Sequence, residues 1–188
     1  MGGAREGQFG PFKRWAAAHE HTLLERLEDR YVMYGEMMAK KHSVFYDNLP
    51  HIFAEFDIWD RKEGIFLSGA ARRSLLEGLP VLPVPVLFRG IAPKTLKELL
   101  SLLRPSLAKT ANWKQVFESQ VKAQNLDLEK AWQQCDKSEL AEGLYIKLEE
   151  ADQVVDRFKW VRSDFTQTIL DSEVHHSKQP VIRNLLNP

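Results

Sequence analysis

The sequence has one cysteine, Cys135, and no net charge, with 26 Lys and Arg against 26 Asp and Glu. A lone thiol excludes an internal disulfide framework and any multi-cysteine zinc module, and it fits a reducing compartment, so a cytoplasmic location is expected. Balanced charge excludes a protein whose affinity for nucleic acid or membrane rests on a general excess of cations. Such binding has to come from a local patch. Long apolar runs are missing as well: the longest, Leu79 to Phe88, is broken by Pro80, Pro83 and Pro85 and is well short of the roughly 18 residues that a membrane helix needs. The first eight residues have no apolar core behind a basic start, so neither a secretory signal nor a membrane partner is expected. His19, His21 and the pair His175-His176 lack the cysteines or spaced acids of a metal site and read as surface histidines.

What is present, 188 residues of which 44% are hydrophobic, suffices for one globular domain, or two at most. From Pro11 to Asp29, Phe12, Trp15, Ala16, Leu23, Leu24 and Leu27 recur near helical spacing and predict one amphipathic helix. Tyr31 to Met38 and Ile52 to Trp59 are rich in aromatic and β-favouring residues, with turn formers between them, and predict neighbouring strands. A turn at Asp60–Gly64 leads to a short strand over 65–67. Ser68 is placed to cap a helix through Leu76, and the proline-bounded run Val84 to Phe88 reads as a further short strand. Between Pro93 and Gln134 two or three helical stretches carry apolar stripes that predict packing surfaces. Period two returns in Leu144 to Leu148 and in Arg157 to Val161, with the charged segment Glu149 to Asp156 as the expected connection.

Four segments carry chemistry. Glu142-Gly143-Leu144-Tyr145-Ile146-Lys147 sets an acid that can hold a divalent cation, a glycine that admits close backbone approach, and a lysine that can neutralise phosphate around one strand; taken alone, a strand entered through a turn with solvated charges at both ends is the simpler account. Arg157-Phe158-Lys159-Trp160 puts two cations on one face of a strand, either a phosphate clamp or the solvated face of an edge strand, and turns Phe158 and Trp160 toward a core. Glu36, in Tyr34-Gly35-Glu36, and Glu55 and Asp57, in the run from Phe53 to Asp60, are acids inside strands otherwise suited to burial. A buried carboxylate must be paired or ligated, and pairing with a nearby Arg or Lys is the simpler account of each. Cys135 has no evident activating partner.

In their order and spacing these segments resemble motifs III, IIIa, IV and V of the ATP-dependent RNA ligases of the covalent nucleotidyltransferase superfamily. The likeness also runs through Lys41-His42-Ser43-Val44-Phe45-Tyr46-Asp47 and Pro83-Val84-Pro85-Val86-Leu87. It implies an α+β fold with antiparallel sheets and helices, one partial adenylyltransferase domain over residues 1–188 with a helical insertion at about 93–135, and ATP, Mg2+ and RNA ends as cofactors and partners. Carried onto this sequence, it implies that Glu36 contacts the ribose, Phe56 stacks on adenine, Glu142 supports the metal, Lys147 shares the same strand, and Arg157 and Lys159 grip the α-phosphate, with Arg162 as the other candidate for the second cation. These residues are expected to line one pocket.

Such ligases move AMP onto a lysine amine, then onto a 5′-phosphate, and a 3′-hydroxyl finally displaces AMP. The amine lies in a Lys-x-Asp/Asn-Gly loop upstream of motif III, and this sequence has no such loop: Lys13 precedes Arg14-Trp15, and Lys40 and Lys41 lie beyond Glu36. The expectation is a ligase domain that begins late, lacks its first strands and does not adenylylate itself. The alternative is a non-catalytic binder of nucleotide or RNA ends.

Overall fold

The computed structural model describes residues 9–171 and 180–187. The pair His175-His176 lies outside the described residues. The described residues begin with two helices, α1 (Gly10–Ala18) and α2 (Glu20–Leu27). Strands β1 (Tyr31–Met37), β2 (Phe53–Asp60) and β3 (Ile65–Leu67) precede helix α3 (Gly69–Leu76) and the short strand β4 (Leu82–Pro83). Helices α4 (Leu96–Leu100), α5 (Trp113–Ala123) and α6 (Leu128–Gln133) come next, then strands β5 (Gly143–Glu150) and β6 (Gln153–Val161) and helix α7 (Ser163–Asp171). The class is α+β. The sheet runs β1-β2-β3-β6-β5, with β4 beside β2. β1, β2, β3 and β6 pair antiparallel in turn, whereas β4 runs parallel to β2.

The chain forms two compact units. Within the described residues, one draws on the stretches Met1–Met38, His51–Val84 and Tyr145–Lys159, the other on Ala39–Pro50, Pro85–Leu144 and Trp160–Pro188. In the first unit the helices cover one face of the sheet. Phe53, Ile58, Leu67, Leu76 and Val81 form its core, and Phe12, Trp15 and Leu23 pack against them from α1 and α2. Ser68 caps α3 as the sequence predicts, its hydroxyl accepting a hydrogen bond from the Ala71 N–H at 3.2 Å. In the second unit Trp113, Phe117 and Val121, one stripe of α5, meet Phe45, Ala131, Cys135 and Ile182. The stripe of α5 and Ala131 of α6 are core, as the spacing implies, whereas α4 buries no residue and Leu96 is 61% exposed.

Four expectations need correction. The helix expected over 11–29 is two helices. At His19 the N–H is shared between the Trp15 and Ala16 carbonyls, which ends the first helix, and Glu20 starts the second where its charge suits a helix N-terminus. A break of one residue leaves the apolar spacing intact, so periodicity cannot report it. Residues 84–88 form no strand. Pro83 and Pro85 have no N–H to give, and after Val84 N donates to Glu55 O at 2.7 Å the chain leaves β2, with Val86, Leu87 and Phe88 exposed. The charged connection expected over 149–156 shrinks to Ala151 and Asp152, because exposed charges are tolerated on a hairpin and Ala151 adopts the φ of +50° that a tight hairpin turn requires. Phe158 is not in a core but 53% exposed.

Candidate functional site

The register of β1 on β2 determines which side chains share a face. Tyr34 lies opposite Asp57 but Gly35 lies opposite Glu55, so Phe56 is an extra residue, a β-bulge. Opposed residues point the same way and neighbours point opposite ways. Asp57 therefore shares a face with Tyr34 and Glu36, while Glu55 points to the opposite face. There Glu55, 1% exposed, accepts a hydrogen bond from Arg72 of α3 at 2.5 Å. Burial raises the Glu55 carboxyl above its ordinary value, and the Arg72 charge only partly offsets this.

On the other face three side chains from β5 and β6 converge on Asp57, which is also 1% exposed. The Tyr145 hydroxyl donates to Oδ2 at 2.5 Å, Arg157 donates to the same oxygen at 3.0 Å, and Lys147 Nζ lies 2.6 Å from Oδ1. That last contact is an ion pair whose angle is poor for a hydrogen bond; Lys147 Nζ donates to the Phe56 carbonyl instead. In strand order β3 and β6 lie between β2 and β5, so a flat sheet would hold β5 about 14 Å from β2. These contacts require the sheet to curl over this face. Burial opposes charge on Asp57, but the adjacent Lys147 ammonium and the hydrogen bonds from Tyr145 and Arg157 outweigh it and hold the carboxyl below its usual range. Burial lowers Lys147, with Asp57 opposing, and burial together with the hydrogen bond to Asp57 pushes Tyr145 up to about 12.

Of the residues singled out from sequence, Phe56, Lys147 and Arg157 meet around Asp57. The Phe56 ring stands edge-on to Tyr145 with centroids 5.9 Å apart. Glu36 is exposed on the same face of β1, and Lys159 is exposed two residues beyond Arg157. Pairing with Arg or Lys, the simpler account of the buried acids, holds for both Glu55 and Asp57. Gly35 has a structural cause: a Cβ there would meet the Phe53 ring at 2.2 Å. Tyr145 and Arg72 carried no sequence signal as members of this cluster, since a tyrosine in a strand and an arginine in a helix are ordinary surface residues until their partners are known.

Glu142 belongs to the second unit. Its Oε1 accepts a hydrogen bond from the Tyr46 hydroxyl at 2.6 Å, and its carbonyl accepts one from Arg162 N at 3.0 Å. A Cβ on Gly143 would lie 2.0 Å from the Trp160 carbonyl oxygen, so this glycine serves strand contact rather than approach to a ligand. Arg162, 4% exposed, is committed to Asp136 at 2.6 Å and to Asp164 at 2.5 Å. Two open clefts of about 590 and 510 Å3 border Trp132 in the same unit, and none of the candidate residues lines them. Among the described residues no group of three or more His, Cys, Asp or Glu side chains could hold a metal ion, and no helix is long and apolar enough to cross a membrane.

A family model described as RNA ligase matches residues 2–161 of the 188. No curated protein and no solved structure matches the chain.

Proposed function

The chain belongs to the RNA ligase family, and from that premise we propose that its first unit holds ATP for RNA end joining by AMP transfer, on a nucleotidyltransferase-type fold. The observation that carries this reading is the cluster around Asp57. On this face one carboxylate, Asp57, stands against two cations, Lys147 and Arg157, while Glu55 and Arg72 pair on the other. That local excess favours an anion, and Arg157, with 37% of its side chain exposed, is the more open of the two cations to a phosphate. Phe56 offers its ring to adenine, Glu36 a carboxylate to the ribose, and Lys159 a further charge to the α-phosphate.

Glu142 suits Mg2+ in its chemistry. It is a hard oxygen donor oriented by Tyr46, and magnesium uses one or two carboxylates and fills the rest of its shell with water and phosphate, so the lack of a protein-only cluster does not count against it. Bound there, the ion would supply Lewis-acid charge within the second unit. The lysine amine that takes up AMP has no Lys-x-Asp/Asn-Gly context in these 188 residues. These residues therefore bind nucleotide without forming a covalent adduct.

Titration calorimetry with ATP tests the reading. Phe56→Ala is expected to lose affinity by about tenfold, the scale of one lost base–aromatic stack, while Phe9→Ala, at the residue before α1, binds like the parent. Incubation with Mg2+ and labelled ATP should give no acid-stable protein–AMP adduct. Equal binding by the two variants, or none by the parent, overturns the nucleotide assignment, and a stoichiometric adduct overturns the absence of a nucleophile.

A further inference from the structure

The neutral total conceals an uneven distribution of charge. Between Glu77 and Glu118 the chain carries Arg89, Lys94, Lys97, Arg104, Lys109 and Lys114 against a single acid, Glu98. All of these cations belong to the second unit. Lys114 pairs with Glu139 at 3.0 Å, and Lys109, half-buried, lies 4.1 Å from the Trp113 ring centroid while its Nζ donates to the Ser138 carbonyl. Arg89, Lys94, Lys97 and Arg104 are exposed, and among the described residues no acid lies within ion-pairing distance of them. Three of them gather at α4. Lys94 precedes the capping residue Thr95, Lys97 lies within the helix, and Arg104 NH1 donates to the carbonyl of Ser101, where the helix ends. Glu98 turns its carboxylate to the backbone rather than to an ammonium: Oε2 accepts from the Lys94 N–H at 2.9 Å.

A surplus of like charge on one stretch repels itself, and elsewhere in this unit the cations Lys114 and Lys122 have acids, Glu139 and Glu118, set against them. Here the acids are missing. We propose that the exposed cations at α4, with Arg89, form a surface that holds the phosphate backbone of the RNA strand without regard to its sequence, using side chains that the nucleotide reading leaves idle. Charge complementarity identifies a polyanion. Ile91, Leu96 and Leu107 are exposed in the same stretch, a mixture that an amphipathic helix would offer to an anionic bilayer. Yet α4 has only five residues, and Pro93 and Pro105 bound it, so the segment presents no continuous apolar stripe to lipid. Phosphates need only exposed cations. The choice of RNA rests on the end-joining reading above; the surplus of charge does not.

Fluorescence anisotropy with a labelled oligouridylate, over salt from about 50 to 200 mM, tests the surface on the full chain. Lys94 and Lys97 are exposed, so replacing them does not threaten the fold. The double variant Lys94→Ala, Lys97→Ala is expected to flatten the slope of log affinity against log salt by about 1.4, roughly 0.7 for each cation withdrawn from a single strand. Lys122→Ala, which removes a cation already set against Glu118, is expected to keep the parent slope. An unchanged slope in the double variant, a loss per cation as large in Lys122→Ala, or no RNA binding by the parent each overturns the surface. Co-sedimentation with phosphatidylserine vesicles that the double variant loses while its RNA binding stays intact overturns it too, in favour of lipid. ATP binding by the parent, measured separately, reports on the nucleotide site alone, so the two readings fail independently.

Discussion

Asp57 and Lys147 form an ion pair of 2.6 Å in which the carboxylate is 1% and the ammonium side chain 12% exposed. Neither charge could be left alone at such depth. Asp57→Asn is expected to lower stability at neutral pH by about 3–5 kcal/mol, the usual result of stranding a buried partner. The pH dependence has a definite sign. The folded-state carboxyl titrates below its unfolded value of 3.8, so its contribution is fully present above that value and disappears as pH falls through the lower folded one. Denaturation at a series of pH values should show the parent losing stability below about pH 4 and Asp57→Asn losing less over the same window. Parallel profiles would count against the pair.

Tyr145 titrates at about 12 against an ordinary 10.0. The folded state thus prefers the neutral phenol, and the resulting stability, present below 10, is lost as pH rises toward 12. Ultraviolet absorbance should find one of the four tyrosines ionising late, and Tyr145→Phe should remove that step. Because Tyr145 is 42% exposed, losing its hydrogen bond to Asp57 is expected to cost only about 1 kcal/mol.

Arg72→Ala leaves Glu55 buried without its cation and is expected to cost about 3–5 kcal/mol at pH 7. Glu55 already titrates above its ordinary 4.5 because of burial. Removing Arg72 raises it further, so protonation relieves the defect and the loss relative to the parent should shrink as pH falls toward 5. Urea titrations at the two pH values decide, and a loss independent of pH would show that Arg72 acts through packing alone.

Gly35→Ala and Gly143→Ala probe two close approaches. The first pushes a methyl group against the Phe53 ring and the Ala54 carbonyl, the second against the backbone of Trp160 and Val161. A ring can shift in part and a paired backbone cannot. Both variants should be destabilised by about 1–3 kcal/mol or more, with Gly143→Ala the worse of the two in thermal melts.

Much of this was legible in the residues themselves. Strands over Tyr31–Met37, Phe53–Asp60 and Ile65–Leu67, and the Ser68 cap, follow from alternation and turn chemistry, which are local. The break at His19 and the short turn at Ala151 depend on single residues inside unbroken patterns, which periodicity averages away. Phe158 was misplaced because alternation assigns faces without saying which face is covered. The buried acids pointed to cations, but only tertiary structure assigns Arg72 to Glu55 and Lys147 with Arg157 to Asp57. Tyr145 could not have been found, since its partner lies on a strand that is not its neighbour in the sheet.

The bulge at Phe56 acts as a phase shift in the strand. Read with strict alternation, β2 would place Glu55 and Asp57 on one face, two like charges sharing one set of cations. The extra residue separates them: Phe53 and Glu55 before it and Ile58 after it face the helices, while Asp57 and Trp59 look the other way. Deleting Phe56 itself would restore strict alternation with Glu55 and Asp57 still on opposite faces, so the core and the charged cluster would keep their sides and only the ring would be lost. A deletion elsewhere in β2 would instead turn every residue on one side of the cut to the wrong face. The bulge is thus where this strand tolerates a change of length.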